Sequence, residues 1–164
     1  MKKCVKRVVK VLVLGVLTLG VVFIVGMRNK NPKVLGAVRK MNRAVFNPKQ
    51  METAGTPGAY ASIIKHVGRT SGTEYQTPVG VVATDEGFVI ALPYGDQADW
   101  LKNVLAAGRA TIVHEGETFE VDEPGVVPIE EAAEWFSEKD RKAHEVFNVE
   151  QVLRVRRPAP VAAE

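Results

Sequence analysis

Apolar residues fall along this chain in three patterns, each predicting a different kind of element. The first is a nearly unbroken run, VLVLGVLTLGVVFIVGM from Val11 to Met27, with no charged residue. With Val8, Val9 and Lys10, whose long stem can carry its ammonium outward, the segment reaches about 20 residues, enough to cross a bilayer as a helix. It is longer than the apolar region of a cleavable signal peptide, and no small-residue cleavage site follows closely; Leu35-Gly36-Ala37 is too far along and too bulky. Residues 8–27 are therefore expected to be an uncleaved membrane anchor.

The second pattern has helical spacing. Leu35, Val38, Met41 and Val45 recur along Val34–Phe46, with Arg39, Lys40 and Arg43 at the other positions. This predicts an amphipathic helix that Asn47-Pro48 ends. Residues 28–33, RNKNPK, read as a polar linker before it, and 51–58, METAGTPG, as a loop after it. The expected division is thus a basic N-terminus, anchor and linker over 1–33 and one globular domain over 34–164. Further helices are expected at Gln97–Ala107, with Asp96 as N-cap and Gly108 as its stop, at Ile129–Lys139 and at Arg141–Val146.

The third pattern is short β-type runs: Tyr60–Val67, Tyr75–Thr84, Phe88–Leu92, Ala110–His114, Thr118–Val121 and Val152–Arg156. Asp85-Glu86-Gly87 and Glu115-Gly116 each read as a hairpin turn. Six short strands with interspersed helices imply a mainly β, α+β chain built as a small antiparallel barrel rather than a parallel βαβ sheet.

Charge sharpens this division. Of 22 basic and 19 acidic side chains, eight basic and no acidic ones fall within residues 1–33. The other 131 residues keep 14 basic against 19 acidic groups, a net charge of −5. A globular part of that sign argues against nucleic acid as a partner, and the basic excess of the N-terminus suits an anionic membrane surface. Five basic residues precede the apolar run and six follow it closely, so loop charge does not set its direction. The single cysteine, Cys4, allows no internal disulfide and no zinc spacing, consistent with a cytoplasmic setting; beside a membrane segment it is an acylation candidate, with an incidental place in a flexible tail the commoner fate of such a residue.

Candidate chemistry begins at HVGRTSGTEYQTP, residues 66–78. Between two strands, Gly68-Arg69-Thr70-Ser71-Gly72 combines a guanidinium fork, two hydroxyls and turn-forming glycines. That set suits a phosphate or carboxylate, although an ordinary polar hairpin loop has the same composition. It is neither a Walker A loop, lacking the lysine, nor a dinucleotide fingerprint, since a strand follows it. Downstream, Leu92-Pro93-Tyr94-Gly95-Asp96 opens the helix bearing Asp99, Trp100 and Asn103, and Tyr94 and Trp100 are able to stack on a flat ring. His66, His114 and His144 are too scattered for zinc, and no metal site is expected. His66 and His144 are each able to donate a proton, with a structural role the commoner fate of such residues.

The ordered set GRTSG–x–x–Y–x–TP, a hairpin, ALPYG, DWLKN and LAAG resembles the actinobacterial deazaflavin-dependent nitroreductase family, over about residues 58–157. The resemblance implies a split β-barrel oxidoreductase, similar to FMN-binding barrels, that uses reduced coenzyme F-420. It assigns Arg69, Thr70, Ser71 and Gly72 to the coenzyme's phosphate and polyglutamate side. Gln76, Thr77 and Pro78 then lie beside the deazaflavin, Ala91, Leu92, Pro93 and Tyr94 near its ring, and Trp100, Leu101 and Asn103 on the helix that closes the site. Tyr94 and His144 are the candidates for proton donation or substrate contact. Thr70 stands where the nitroreductase has a lysine, and Pro93-Tyr94 where it has Ser-Lys. Its tyrosine-rich substrate segment is replaced by Arg141-Lys142-Ala143-His144-Glu145-Val146-Phe147.

The implied activity is hydride transfer from reduced coenzyme F-420 to a small hydrophobic acceptor, quinone-like, with nitro compounds and enones as further substrates. The implied location is the cell membrane, single-pass or peripheral, with the catalytic domain on the cytoplasmic side because that coenzyme is cytosolic. Two rivals remain: an FMN-dependent reductase on the same barrel, and a non-catalytic binder of lipid or cofactor. Nothing in the sequence sets the oligomeric state.

Overall fold

A computed structural model describes residues 2–158. Helix α1, Lys2–Arg28, contains the apolar run. Its portion Val9–Arg28 is long and apolar enough to cross a membrane, and its side chains are almost entirely exposed until Gly26 and Met27. The side chains of residues 2–5 and 8 are not described, so the expectations for Cys4 and Val8 lie outside the described residues.

The polar linker expected at 28–33 shrinks to a turn at Asn29-Lys30, because helix α2, Pro32–Met41, starts early. Asn31 caps it, its side chain accepting from the amides of Lys33 and Val34, and Pro32 occupies the first turn, where a missing N–H costs nothing. Leu35 and Val38 are buried and enclose Met27, with Val34, Tyr94 and Phe147 packed around them. The seam between α1 and α2 is tight: a Cβ on Gly26 would stand 2.6 Å from Val34 Cγ2.

Asn47-Pro48 does not end this helical segment. A π-helical turn, Asn42–Phe46, leads directly into α3, Asn47–Met51, in which Pro48 sits in the first turn. The Asn47 amide still donates to the Asn42 carbonyl, and this wider π-helical turn passes the chain on to Pro48, so the proline is accommodated rather than a stop.

Seven strands form one antiparallel sheet: β1 Ser62–Val67, β2 Glu74–Val79, β3 Val82–Ala83, β4 Gly87–Ala91, β5 Arg109–His114, β6 Glu117–Pro128 and β7 Gln151–Arg156. Their order is β2-β1-β5-β6-β7-β4-β3. The fold is α+β as expected, with seven strands rather than six. The run read as Tyr75–Thr84 is two strands, β2 on one edge pairing with β1 and β3 on the other edge pairing with β4. Only Gly80 and Val81 join them, and three peptide steps span at most about 11 Å. The two edges are thereby drawn together, and the sheet curls into a half-barrel.

The expected strand Thr118–Val121 runs on to Pro128. Its register against β7 shifts between Asp122 and Gly125, a bulge that lets one long strand turn with the curl. The inner face holds the main core, including Ile64, Phe88, Ile90, Leu101, Val104, Ile112, Val121 and Leu153. A second cluster, Val89, Ala132, Phe136 and Val152, covers the other face. The segment 129–139 is not one helix. Ile129–Trp135 is 3-10, Phe136 is extended, and Ser137 caps the separate helix α5, Glu138–Phe147. Turning the chain at Phe136 delivers its ring to the second cluster.

Helix α4, Asp99–Ala107, begins two residues later than expected. Its N-cap is Ala98, while the Asp96 carboxylate accepts instead from Gln97 Nε2 at 2.8 Å. Gly108, at φ 69°, stops it as expected.

Candidate active site

The glycine-bounded loop 68–73 is a closed turn between β1 and β2. The Gly68 amide donates to the Thr73 carbonyl and the Gly72 amide to the Gly68 carbonyl, each at 2.8 Å. Gly72, at φ 67°, takes the left-handed conformation that returns the chain to β2. Among the described residues, the amides of Thr70 and Ser71 find no acceptor.

Arg69 turns from this loop onto α4. Its amide donates to Asn103 Oδ1 at 3.2 Å and its Nη1 to the same oxygen at 2.8 Å, while Nη2 pairs with Asp99 Oδ1 at 3.2 Å. Asp99 is also 3.5 Å from Arg43 on the π-helical turn. Two guanidinium groups therefore share one carboxylate, and the cluster keeps a net positive charge.

Asn103 and His66 are buried behind Arg69. Asn103 Nδ2 stands 3.2 Å from His66 Nδ1, and His66 Nε2 stands 3.2 Å from Thr77 Oγ1. Tyr75 stacks on the imidazole, with ring centroids 5.7 Å apart. Desolvation pushes the His66 pKa below its ordinary value, so the ring is neutral at pH 7. The buried position of His66 was legible in β1, where Ser62, Ile64 and His66 all point inward at the strand period of two. Its link to Asn103, 37 residues away, and the pairing of Asp99 with both Arg69 and Arg43 carried no sequence signal.

The segment Ala91–Tyr94 leaves the end of β4 and turns through the hydrogen bond from the Gly95 amide to the Leu92 carbonyl. Tyr94 packs with Met27, Leu35, Val38 and Phe147, and its hydroxyl oxygen accepts from Asn42 Nδ2 at 3.0 Å. Lys30 Nζ lies 3.4 Å from the carbonyl oxygens of Pro93 and Phe147, and burial lowers its pKa despite Glu150.

Of the expected site residues, Arg69, Thr77 and Asn103 meet in one network, and Thr70, Ser71, Gly72 and Gln76 are exposed beside it. Pro78 and Trp100 are half-buried, Trp100 against the main core. Leu92 and Leu101 are core residues, at 3% and 0% exposure, and seat the strand and helix from within. His144 lies apart from this network. It packs edge-on against Phe136 of the second cluster, 4.6 Å between centroids, with its Nδ1 buried and unpartnered and its pKa lowered by desolvation. Among the described residues no group of three or more His, Cys, Asp or Glu side chains is arranged to hold a metal ion.

A family model described as F420H(2)-dependent quinone reductase matches residues 37–164. The chain belongs to that family. It is an oxidoreductase whose reductant is reduced coenzyme F-420. The match encloses the whole Arg69 network, Tyr94 and α5. Among solved structures, an F420-H2 dependent reductase is similar at 15% identity, covering 58% of this chain and 93% of that one, TM-score 0.43. HutZ, the heme storage protein from Vibrio cholerae, is similar at 14% identity, covering 68% of this chain and 89% of that one, TM-score 0.45. No curated protein matches the chain.

The residues present suit an acidic coenzyme. The loop offers amide donors without acceptors, next to a cluster that holds two arginines against one carboxylate.

Proposed function

We propose that this family member passes hydride from reduced coenzyme F-420 to a hydrophobic, quinone-like acceptor drawn from a membrane, with nitro compounds and enones as further substrates. One observation carries the acceptor class: the base of the apolar helix packs directly on the ring-side segment. Met27, Leu35 and Val38 surround Tyr94, and Lys30 donates to the Pro93 carbonyl. The expected ring site therefore adjoins one end of the candidate span, where lipid-soluble molecules are concentrated.

When bound, the reduced deazaflavin supplies the hydride. The chain supplies position and a proton. Arg69 and the loop Thr70-Ser71-Gly72 hold the coenzyme's anionic side. Gln76, Thr77, Pro78, Ala91 and Pro93 are the residues proposed to flank the ring, and Trp100, Leu101 and Asn103 lie on the helix proposed to close the site. Tyr94 is the proposed proton donor: its oxygen already accepts from Asn42, so its own hydrogen remains to be given to an acceptor oxygen. His144 is the poorer candidate because its ring packs on Phe136. The reading places residues 8–27 in the cell membrane, with the domain on the cytoplasmic face that holds the coenzyme.

The test uses full-length protein in liposomes. Oxidation of the reduced coenzyme is followed with a long-chain quinone in the bilayer and with a water-soluble nitro compound, and coenzyme affinity is measured for the native protein and Arg69→Ala. Faster turnover of the bilayer quinone, with weaker coenzyme binding by R69A, supports the proposal. Turnover of the soluble acceptor alone overturns the membrane acceptor.

A further inference from the structure

We propose that His66 is a positioning residue, fixed by Asn103 and Arg69, that presets the Thr77 hydroxyl as a hydrogen-bond donor toward the bound coenzyme. This rests on the assignment of Thr77 to the coenzyme site made above.

The direction of every hydrogen bond in the chain of contacts follows from its outer end. The Arg69 amide and Nη1 are donors without acceptor capacity, and both face one atom of the Asn103 amide, which must be its oxygen. The Asn103 nitrogen is then the atom facing His66 Nδ1, and it has only hydrogens to offer. Nδ1 must accept, so the ring's single hydrogen sits on Nε2. That hydrogen points at Thr77 Oγ1, which accepts it.

Among the described residues the Thr77 hydroxyl has no other partner, so its own hydrogen remains undirected within the protein. Thr77 is half-buried on the edge strand β2, beside the Arg69 loop, where a ligand's carbonyl oxygen or unprotonated ring nitrogen would complete the chain. The carbonyl oxygens of a pyrimidinedione ring are acceptors of the first kind. Without this arrangement the threonine hydroxyl is free to rotate and to present a lone pair instead. The stacked Tyr75 covers one face of the imidazole, and the ring is only 7% exposed. Both features hold it in the plane that the two bonds require.

Two measurements on the full-length protein in detergent test this. Nitrogen NMR of histidine-labelled protein without coenzyme, with His66 assigned by its loss in His66→Gln, is expected to show Nε2 protonated and Nδ1 bare. Coenzyme F-420 titration is expected to show T77V binding about fivefold more weakly, and T77S, which keeps the hydroxyl, binding within about twofold of the native protein. Glutamine at 66 places an amide nitrogen near the position of Nε2, whereas asparagine reaches only as far as Nδ1. H66Q is therefore expected to bind within about twofold of the native protein and H66N as weakly as T77V. The H66N/T77V double variant should bind no more weakly than either single one. The opposite tautomer, equal losses in H66Q and H66N, or additive losses in the double variant would each overturn the proposal. Failure of the native protein to bind the coenzyme, with the expected tautomer present, would overturn the coenzyme as ligand and the assignment with it. The wrong tautomer with intact binding overturns the positioning role alone.

Discussion

Asn103 Oδ1 accepts twice from Arg69, once from its backbone amide and once from its guanidinium, across 34 positions of sequence. One amide side chain on α4 thus fixes both the loop that carries Arg69 and the direction in which that arginine lies. On its other side the same amide faces His66. Replacing it by alanine strands a loop amide and a buried imidazole nitrogen together. Asn103→Ala is expected to lose about 1–3 kcal/mol of stability in denaturant titration. An unchanged midpoint would show that water takes over both bonds.

Asp99 compensates Arg69 while also pairing with Arg43. Asp99→Asn leaves two cations without a counter-charge at the loop. Coenzyme affinity should rise about threefold at low salt, and the gain should fade at high salt, since these groups are largely exposed. Weaker binding in D99N would mean that the carboxylate matters for holding Arg69 in place rather than for offsetting its charge.

His66 and His144 both have folded-state pKa values lowered by desolvation, while in the unfolded chain each lies near 6.5. The unfolded state therefore binds more protons than the native state through this range. Stability contributed by the neutral rings is fully present above about pH 6.5 and falls as the pH drops through that value toward the folded pKa values. Thermal midpoints measured from pH 8 to pH 5 should decline below about pH 6.5. The decline should be shallower in H66Q, in which one of the two groups no longer titrates.

Gly26 and Val34 meet where the apolar helix turns onto the domain. Gly26→Ala forces its new methyl against Val34 and should cost about 1–3 kcal/mol. Val34→Ala in the same chain should restore much of the loss by making room. Equal midpoints for the native protein and G26A would mean that the two helices separate readily.

At Gly87 the backbone of β7 approaches too closely for any Cβ, with the Val155 carbonyl oxygen as nearest neighbour. Gly87→Ala must part β4 from β7 where β4 begins, next to the core residue Phe88. Little soluble folded protein is expected, and recovery of native yields would show that the sheet gives way there at small cost.

The sequence by itself determined the elements whose signals are local. The apolar run, the hairpin turns, the Gly108 stop and most strand cores follow from hydrophobic period and from backbone preferences a few residues long. That Arg69, Thr77 and Asn103 belong together was legible for a similar reason, because their order along the chain resembles that of a known family, and the structure joins them in one hydrogen-bond network.

Tertiary structure decided what depends on distant partners. The run 75–84 became two strands on opposite sheet edges, since pairing with β1 and with β4 is a property of the curled sheet rather than of those ten residues. Pro48 was absorbed because a wider π-helical turn leads into it. Which way Arg69 points, which nitrogen of His66 carries the hydrogen and what covers Tyr94 are set by Asn103, Thr77 and the base of the apolar helix. Hydrogen bonds and close packing act over a few ångströms in space, and spacing along the chain has no bearing on which groups come that near.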